Sequence, residues 1–405
     1  MKKNKVILAY SGGLDTSVIL KWLREKNYEV IAYIANIGQR EDFTLIKQKA
    51  LQIGATKVYV ADLQAEFVTD YIFPIFKANA VYENRYFLGT AIARPLIAKH
   101  QIAIAKQEST DFIAHGATGK GNDQIRFELA YYALNPHSKI IAPWRDNDFI
   151  AHFKGRSDML HYANAHNMPI TTTVAKPYSE DENLLHVSHE AGILEDPSCE
   201  CQEDIYSLIA SPIKAPNKST KISLTFQDGI PNQLKNHENG VIKTTPLELF
   251  KYLNELGAQN GIGRVDMLEN RFLGIKSRGI YETPGGTILH FAHVDLESMV
   301  MDREVMRLRD MLAVKIADLI YNGFWFSPEM DFLMTAINKS QEGISGTVTL
   351  TLYKGNIYPV ARASNNSLYD KTIVSMNTLD SYDPQDATGF IKAHAIRLKQ
   401  CKLKN

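Results

Sequence analysis

Apolar positions along residues 1–165 alternate between unbroken runs of strand length and the spacing of a helix face. Val6-Ile7-Leu8-Ala9-Tyr10 is the first run and ends at Ser11-Gly12-Gly13. Leu14, Val18, Trp22 and Leu23 then recur at i, i+4, i+8 and i+9, which predicts a helix. A second run over 30–36 falls at the separation that a β–α–β crossover needs. Next come a short helical segment over 47–53 ended by Gly54 and a strand over 57–61. A helix with Phe67, Val68, Tyr71, Ile72 and Ile75 on one face follows, and Pro74 is expected to kink or stop it. Asp111-Phe112-Ile113-Ala114-His115 reads as a strand, 116–123 as a glycine-bearing loop and 124–132 as a helix. A helical segment over 155–166 and Met168-Pro169-Ile170 close the series. Such alternation predicts an α/β unit, a parallel sheet covered on both faces with ligands at the carboxyl ends of its strands.

Beyond this point the alternation stops. Tyr178-Ser179 and Ser188-His189-Glu190 lie in a polar stretch of little periodicity, and 199–220, with prolines at 212 and 216, has the character of a linker. A strand is expected over 221–226. Thr245 as cap, Pro246 in the first turn and Glu248 closing a capping box open a helix. Strands over 347–353 and 357–361 are joined by Lys354-Gly355-Asn356, a hairpin signal. Strands and helices without regular alternation predict an α+β unit, and 386–405 reads as a basic helical arm expected to pack on another subunit. The expected division is 1–165, 166–365 and 366–405.

Charge and cysteine content narrow the class. Among 405 residues, 45 basic balance 45 acidic ones, which argues against tRNA or DNA as partner. Three cysteines are too few for a disulfide scaffold, and Cys199-x-Cys201 lacks a second pair at zinc spacing, so reduced thiols are expected. Met1-Lys2-Lys3-Asn4-Lys5 enters the first strand at once, and no apolar run approaches the ~18 residues of a membrane span. A cytoplasmic protein with no membrane contact is the expectation.

The chemistry sits at the two glycine turns. At Ser11-Gly12-Gly13 the backbone can approach a ligand closely, and the following helix adds roughly half a positive charge at its N-terminus, so an anion is the expected guest. Ser11, Thr16 and Ser17 add hydroxyls. No lysine follows as in a Walker loop, and the spacing is wrong for a dinucleotide fingerprint. Asp15 beside bare phosphates makes sense if it reaches a Mg²⁺ shell or braces the loop. The second loop, Gly116-Ala117-Thr118-Gly119-Lys120-Gly121-Asn122-Asp123, is costly to order unless something binds against it, and Arg126 could clamp a carboxylate from the first turn beyond. The two turns could flank one crevice; taken singly, each residue is also an ordinary surface residue.

Ser-Gly-Gly-Leu-Asp-Thr-Ser resembles the phosphate loop of the N-type ATP pyrophosphatases. A longer series is similar to one family among them, the argininosuccinate synthases: AYSGGLDTS, YIANIGQREDF, ENRYFLGTAIARP, HGATGKGNDQIRFE, IAPWR, GRSDML, SEDENLLHVSHEAGILEDP, GRVDMLENRFLGIKSRGIYETPGGTIL, MDRE, GFWFSPE, KSQE, SLYD and DATGF, in this order. The resemblance implies an ATP-pyrophosphatase-type domain, an α+β synthetase domain and a C-terminal oligomerisation arm in a homotetramer. It implies that ATP, L-citrulline and L-aspartate, with Mg²⁺, become argininosuccinate, AMP and pyrophosphate through a citrullyl-adenylate, in arginine biosynthesis. ATP is implied on Ala9, Tyr10, Ser11, Gly12, Gly13, Leu14, Asp15, Thr16, Ser17 and Ala35, with Ala114, His115, Gly116 and Ala117. Aspartate is implied on Thr118, Asn122 and Asp123. Citrulline falls to Tyr86, Asn122, Arg126, Ser179, Ser188, Glu269 and Tyr281. Ser11, Asp15 and Asp123 are the candidate chemical groups, and no protein ligand is assigned to a metal. At position 91 this chain has Ala where animal members carry a Ser that touches citrulline. The competing readings are another adenylating ATP pyrophosphatase and a non-catalytic ATP-binding regulator.

Overall fold

In a computed structural model, residues 3–119, 121–169, 178–376 and 383–403 are described; Met1, Lys2, Lys120 and Ile170, named above, and residues 377–382 and 404–405 of the expected third unit lie outside them. Five strands form a parallel sheet: β1 (Lys5–Ala9), β2 (Glu29–Asn36), β3 (Lys57–Asp62), β4 (Phe112–Ala114) and β5 (Lys139–Ile141). Its order is β3-β2-β1-β4-β5. Alternate side chains go to opposite faces, so β1 divides its apolar run between two cores. Val6 and Leu8, with Val30, Ala32 and Ile34, pack on α1 (Leu14–Glu25) and the helical residues Met159 and Ala163. Ala50 and Ile53 of α2 (Phe43–Ile53) join the same core. Ile7, Ile31, Tyr33 and Ile113 pack on α3 (Gly89–Gln107) and α4 (Asp123–Leu134). Both faces are covered, as the alternation predicts.

The helix around Pro74 differs from the expectation. The chain stays helical through Lys77, because residues Phe67–Ile72 form a π turn in which the Phe73 N–H donates to the Val68 carbonyl, five residues back. Proline has no N–H to give, and here it falls where the hydrogen-bond register is already changing.

Two antiparallel sheets follow. One has strands β6 (Ser179–Glu182), β7 (Val187–Glu190), β11 (Arg264–Asn270) and β12 (Lys276–Glu282) in the order β11-β12-β7-β6. The other runs β10-β9-β8-β13-β14, from β8 (Thr220–Gln227), β9 (Ile230–Asn236), β10 (Ile242–Lys243), β13 (Gly346–Tyr353) and β14 (Asn356–Ala363). The β13–β14 hairpin turns at Lys354-Gly355 as expected. Helix α5 (Pro246–Gln259) starts where predicted, but among the described residues neither side-chain-to-backbone bond of the capping box is made. The Thr245 hydroxyl donates to Glu248 at 2.8 Å and caps no backbone N–H. Helices α6 (Pro284–Val300), α7 (Arg303–Tyr321) and α8 (Pro328–Ser340) complete this half's core with β8, β9 and β13. The arm is helical over Asp386–Leu403 and buries none of its residues. Among the described residues no helix is long and apolar enough to cross a membrane.

Candidate active site

β1 has β2 on one side and β4 on the other, so the connections leaving β1 and β4 diverge at the carboxyl end of the sheet. This is the position where open α/β sheets bind ligands. The first glycine loop leaves β1 there. Gly12 has φ +80, and a Cβ on it would lie 2.9 Å from Ile46 Cγ2, so only glycine fits. Gly13 is the N-cap of α1 and among the described residues no side chain caps that helix, leaving its first N–H groups available. Ser11 Oγ and Thr16 Oγ1 are 3.1 Å apart, and Tyr10 Oη is 3.0 Å from Ser17 Oγ. Asp15 stands in the first helical turn. Burial holds its carboxyl above the usual range, partly offset by Arg156. Ala35 is near the end of β2, where its carbonyl accepts from Gln39 Nε2 at 2.8 Å.

The second loop leaves the neighbouring strand, with Leu8 in register with Ala114. A Cβ on Gly116 would lie 3.0 Å from Thr16 Cγ2, so the second loop passes close to the helix turn that follows the first. The His115 ring is fully buried behind this loop. Its Nδ1 accepts from the Ala117 N–H at 3.2 Å, which leaves Nε2–H to donate to Glu128 at 3.1 Å. The imidazole thus braces the loop. Thr118 is exposed, and the buried Asn122 Oδ1 has no protein partner among the described residues.

Asp123 opens α4 between two guanidinium groups. Arg94 Nε donates to Asp123 Oδ2 and Arg126 Nη1 to Oδ1, each at 2.9 Å. Burial alone would raise the Asp123 carboxyl; Arg94 and Arg126 outweigh it and hold the group below the usual carboxylate range. Arg94 continues to Asp181 Oδ2 at 2.6 Å, linking α3 to the four-stranded sheet.

That sheet supplies the far wall. Asp181 pairs with Ser188, and Ser188 with Tyr281, so the three share a face. Glu269 pairs with Ser277, four residues from Tyr281, and Ser179 pairs with Glu190, two from Ser188; all belong to the same face. Tyr281 and Tyr321 donate to the two oxygens of Glu269 at 2.9 and 3.1 Å. Burial raises the Glu269 carboxyl and the two phenols only partly reverse this. Tyr86 stacks on Tyr281 with centroids 4.3 Å apart and accepts from the Thr90 N–H. Arg126 donates through Nε to the Tyr321 carbonyl at 2.9 Å. Every residue that sequence reasoning placed at citrulline therefore lies on this sheet face, on the first turn of α4, or at Tyr86; Ser179 is exposed at the sheet edge. Ala91 is buried in the first turn of α3.

Two models, described as "Arginosuccinate synthase N-terminal HUP domain" and "Arginosuccinate synthase C-terminal domain", match residues 5–169 and 178–401. The chain belongs to the argininosuccinate synthase family. It is 61% identical to the argininosuccinate synthase of Thermotoga maritima over 397 residues, 98% of this chain and 97% of that one. Against those of Danio rerio and Mus musculus it is 51% identical, over 99% and 98% of this chain and 97% of each relative. It is an enzyme of arginine biosynthesis that ligates citrulline to aspartate, and its parallel-sheet domain is of the ATP pyrophosphatase type.

Sequence reasoning did not single out Arg94, Asp181 or Tyr321, which the structure brings to this wall. Arg94 closes a quoted block, ENRYFLGTAIARP, where an arginine inside a helix of apolar residues is the available signal. Asp181 and Tyr321 carry none, because their roles follow from strand pairing and from the end of a helix more than a hundred residues away.

Proposed function

We propose that the crevice between the two glycine turns and the four-stranded sheet holds all three substrates of the ligation at once. The observation that carries this reading is the run of contacts from Asp123 to Arg126, Tyr321, Glu269, Tyr281 and Tyr86, with Gly116 passing close to Thr16 at the other end of the second loop. ATP lies on Ala9 to Ser17, Ala35 and Ala114 to Ala117, its phosphates on the free N–H groups of α1. Citrulline lies on the sheet face, its carboxylate toward Arg126 and its N–H groups toward Glu269, Tyr281, Ser188 and Ser179. Aspartate lies on Thr118, Asn122 and Asp123.

The ureido carbon of citrulline is a poor electrophile because both nitrogens donate into it. Its oxygen attacks the α-phosphorus, pyrophosphate leaves, and the aspartate amine then displaces AMP from the carbon. Positioning and charge stabilisation supply most of the rate. Asp15, acidic and with no side-chain hydrogen bond or ion pair among the described residues, fits a Mg²⁺ that is carried largely by phosphates and water. When bound, that ion neutralises triphosphate charge. The exposed helix Asp386–Leu403 supports an oligomerisation arm, a homotetramer and the division 1–165, 166–365 and 366–405. A cytoplasmic location is proposed from the reduced cysteines. The test is product analysis with substrates omitted in turn. A single-turnover burst of pyrophosphate from ATP and citrulline, with AMP released only after aspartate is added, is expected. ADP and orthophosphate as products refute the reading.

A further inference from the structure

Helix α2 lies directly over the first glycine loop. Ile46 packs on Gly12, and three residues later, on the same helix face, Lys49 turns back and donates to the Gly12 carbonyl at 2.5 Å. Its neighbour Lys47 is exposed, whereas Lys49 is half-buried. Among the described residues Lys49 forms no ion pair, and burial without a compensating carboxylate holds its amine below the ordinary lysine range. A partly desolvated cation with no counter-charge is unfavourable by itself, and it becomes favourable once a polyanion arrives. The ammonium has two further donors beyond the one given to Gly12.

We propose that Lys49 is a triphosphate-binding residue, delivering from α2 to the first loop the cation that a Walker loop carries in its own sequence. The proposal rests on the reading that this loop takes the phosphates of ATP. As the citrulline oxygen bonds to the α-phosphorus, the bond from that phosphorus to the α–β bridging oxygen breaks. Its electron pair stays on the departing pyrophosphate, whose charge rises. Lys49 stabilises that charge by donating hydrogen bonds and transfers no proton.

The test measures binding of ATP, inorganic pyrophosphate and AMP to the full chain by titration calorimetry, with citrulline affinity as control. Lys49→Met, Lys49→Gln and Lys49→Arg are compared at matched thermal midpoints. Glutamine keeps a donor for the Gly12 carbonyl but loses the charge, which separates loop bracing from phosphate binding. Lys49→Met and Lys49→Gln are expected to weaken ATP and pyrophosphate ~10–100-fold, the worth of a hydrogen bond to a charged group. AMP and citrulline should stay within about twofold, and Lys49→Arg should keep most of the affinity. Wild-type pyrophosphate affinity in Lys49→Gln, or equal losses for AMP and pyrophosphate, overturns the proposal. A wild-type protein that binds AMP but neither ATP nor pyrophosphate refutes the loop reading itself, a distinct result.

Discussion

Tyr321→Phe removes one oxygen atom from the wall proposed for citrulline and leaves its packing in place. The ring is fully buried, stacked on Tyr82 with centroids 3.7 Å apart, and Arg126 lies over it at 5.0 Å. Its carbonyl, which accepts from Arg126, is untouched by the substitution. What disappears is the 3.1 Å hydrogen bond to Glu269 Oε1, leaving Tyr281 as the single phenol on that carboxylate. A hydrogen bond to a charged group is worth ~1.5–3 kcal/mol, and Glu269 is only 6% exposed, so water replaces little of it. This corresponds to a ~10–100-fold fall in kcat/KM for citrulline at neutral pH, with the KM for ATP within about twofold. The pH profile gives the sharper reading. Burial raises the Glu269 carboxyl and the phenols pull it back, so losing one phenol raises it further. If ionised Glu269 accepts from citrulline, the acid limb of kcat/KM moves to higher pH while the alkaline limb stays put. Stability follows the same sign. A folded-state pKa above the unfolded one means that the contribution of the bound proton is present at low pH and lost as pH rises through the folded value. The variant should therefore lose more stability at about pH 8 than at about pH 5. An acid limb that does not move, with citrulline kcat/KM unchanged, refutes the role given to Glu269.

Gly12→Ala puts a Cβ at φ +80 and 2.9 Å from Ile46 Cγ2; the backbone term alone costs ~1–2 kcal/mol, so the loop should shift, the KM for ATP rise about tenfold or more and the thermal midpoint fall. An unchanged ATP KM in steady-state assays argues against a phosphate role for this turn. Arg94→Met leaves Asp123 with one guanidinium and removes the ion pair to the partly exposed Asp181, so a loss of ~1–2 kcal/mol is expected on denaturant titration, and the KM for aspartate should rise more than that for ATP. Equal changes in the KM of all three substrates contradict the network.

The first half of the fold was legible because its signals are local. Val6 to Tyr10, the glycines after it and the spacing of Leu14 to Leu23 specify strand, turn and helix within eighteen residues. The four-stranded sheet was not legible. Ser179-Glu180-Asp181-Glu182 is an acidic run of low strand propensity, and it becomes a strand because Asp181 pairs with Ser188 and is held by Arg94. Glu269, Tyr281 and Ser188 are 12 to 93 residues apart in sequence, and only strand pairing and the helix ending at Tyr321 gather them. The resemblance named these residues; nothing in their local pattern did. Lys49 illustrates the opposite error. Looking for a cation immediately after the glycines overlooks one that a neighbouring helix brings to the Gly12 carbonyl.

The placement of Asp123 bears on how aspartate is activated. Its amine must shed a proton before attacking the adenylated carbon, and an acid at the first turn of α4 is at first sight the base. Yet the two guanidinium groups that bind Asp123 stabilise its charged form, which makes it a weak proton acceptor at neutral pH. The same charge makes it a good partner for an ammonium. On the proposed placement, Asp123 therefore suits holding the aspartate amine, with Asn122 and Arg126 beside it linking it to the wall proposed for citrulline. On the proposed placement of aspartate the proton is expected to leave the ammonium by a route other than Asp123, with α4 aligning two amino acids across one helical turn.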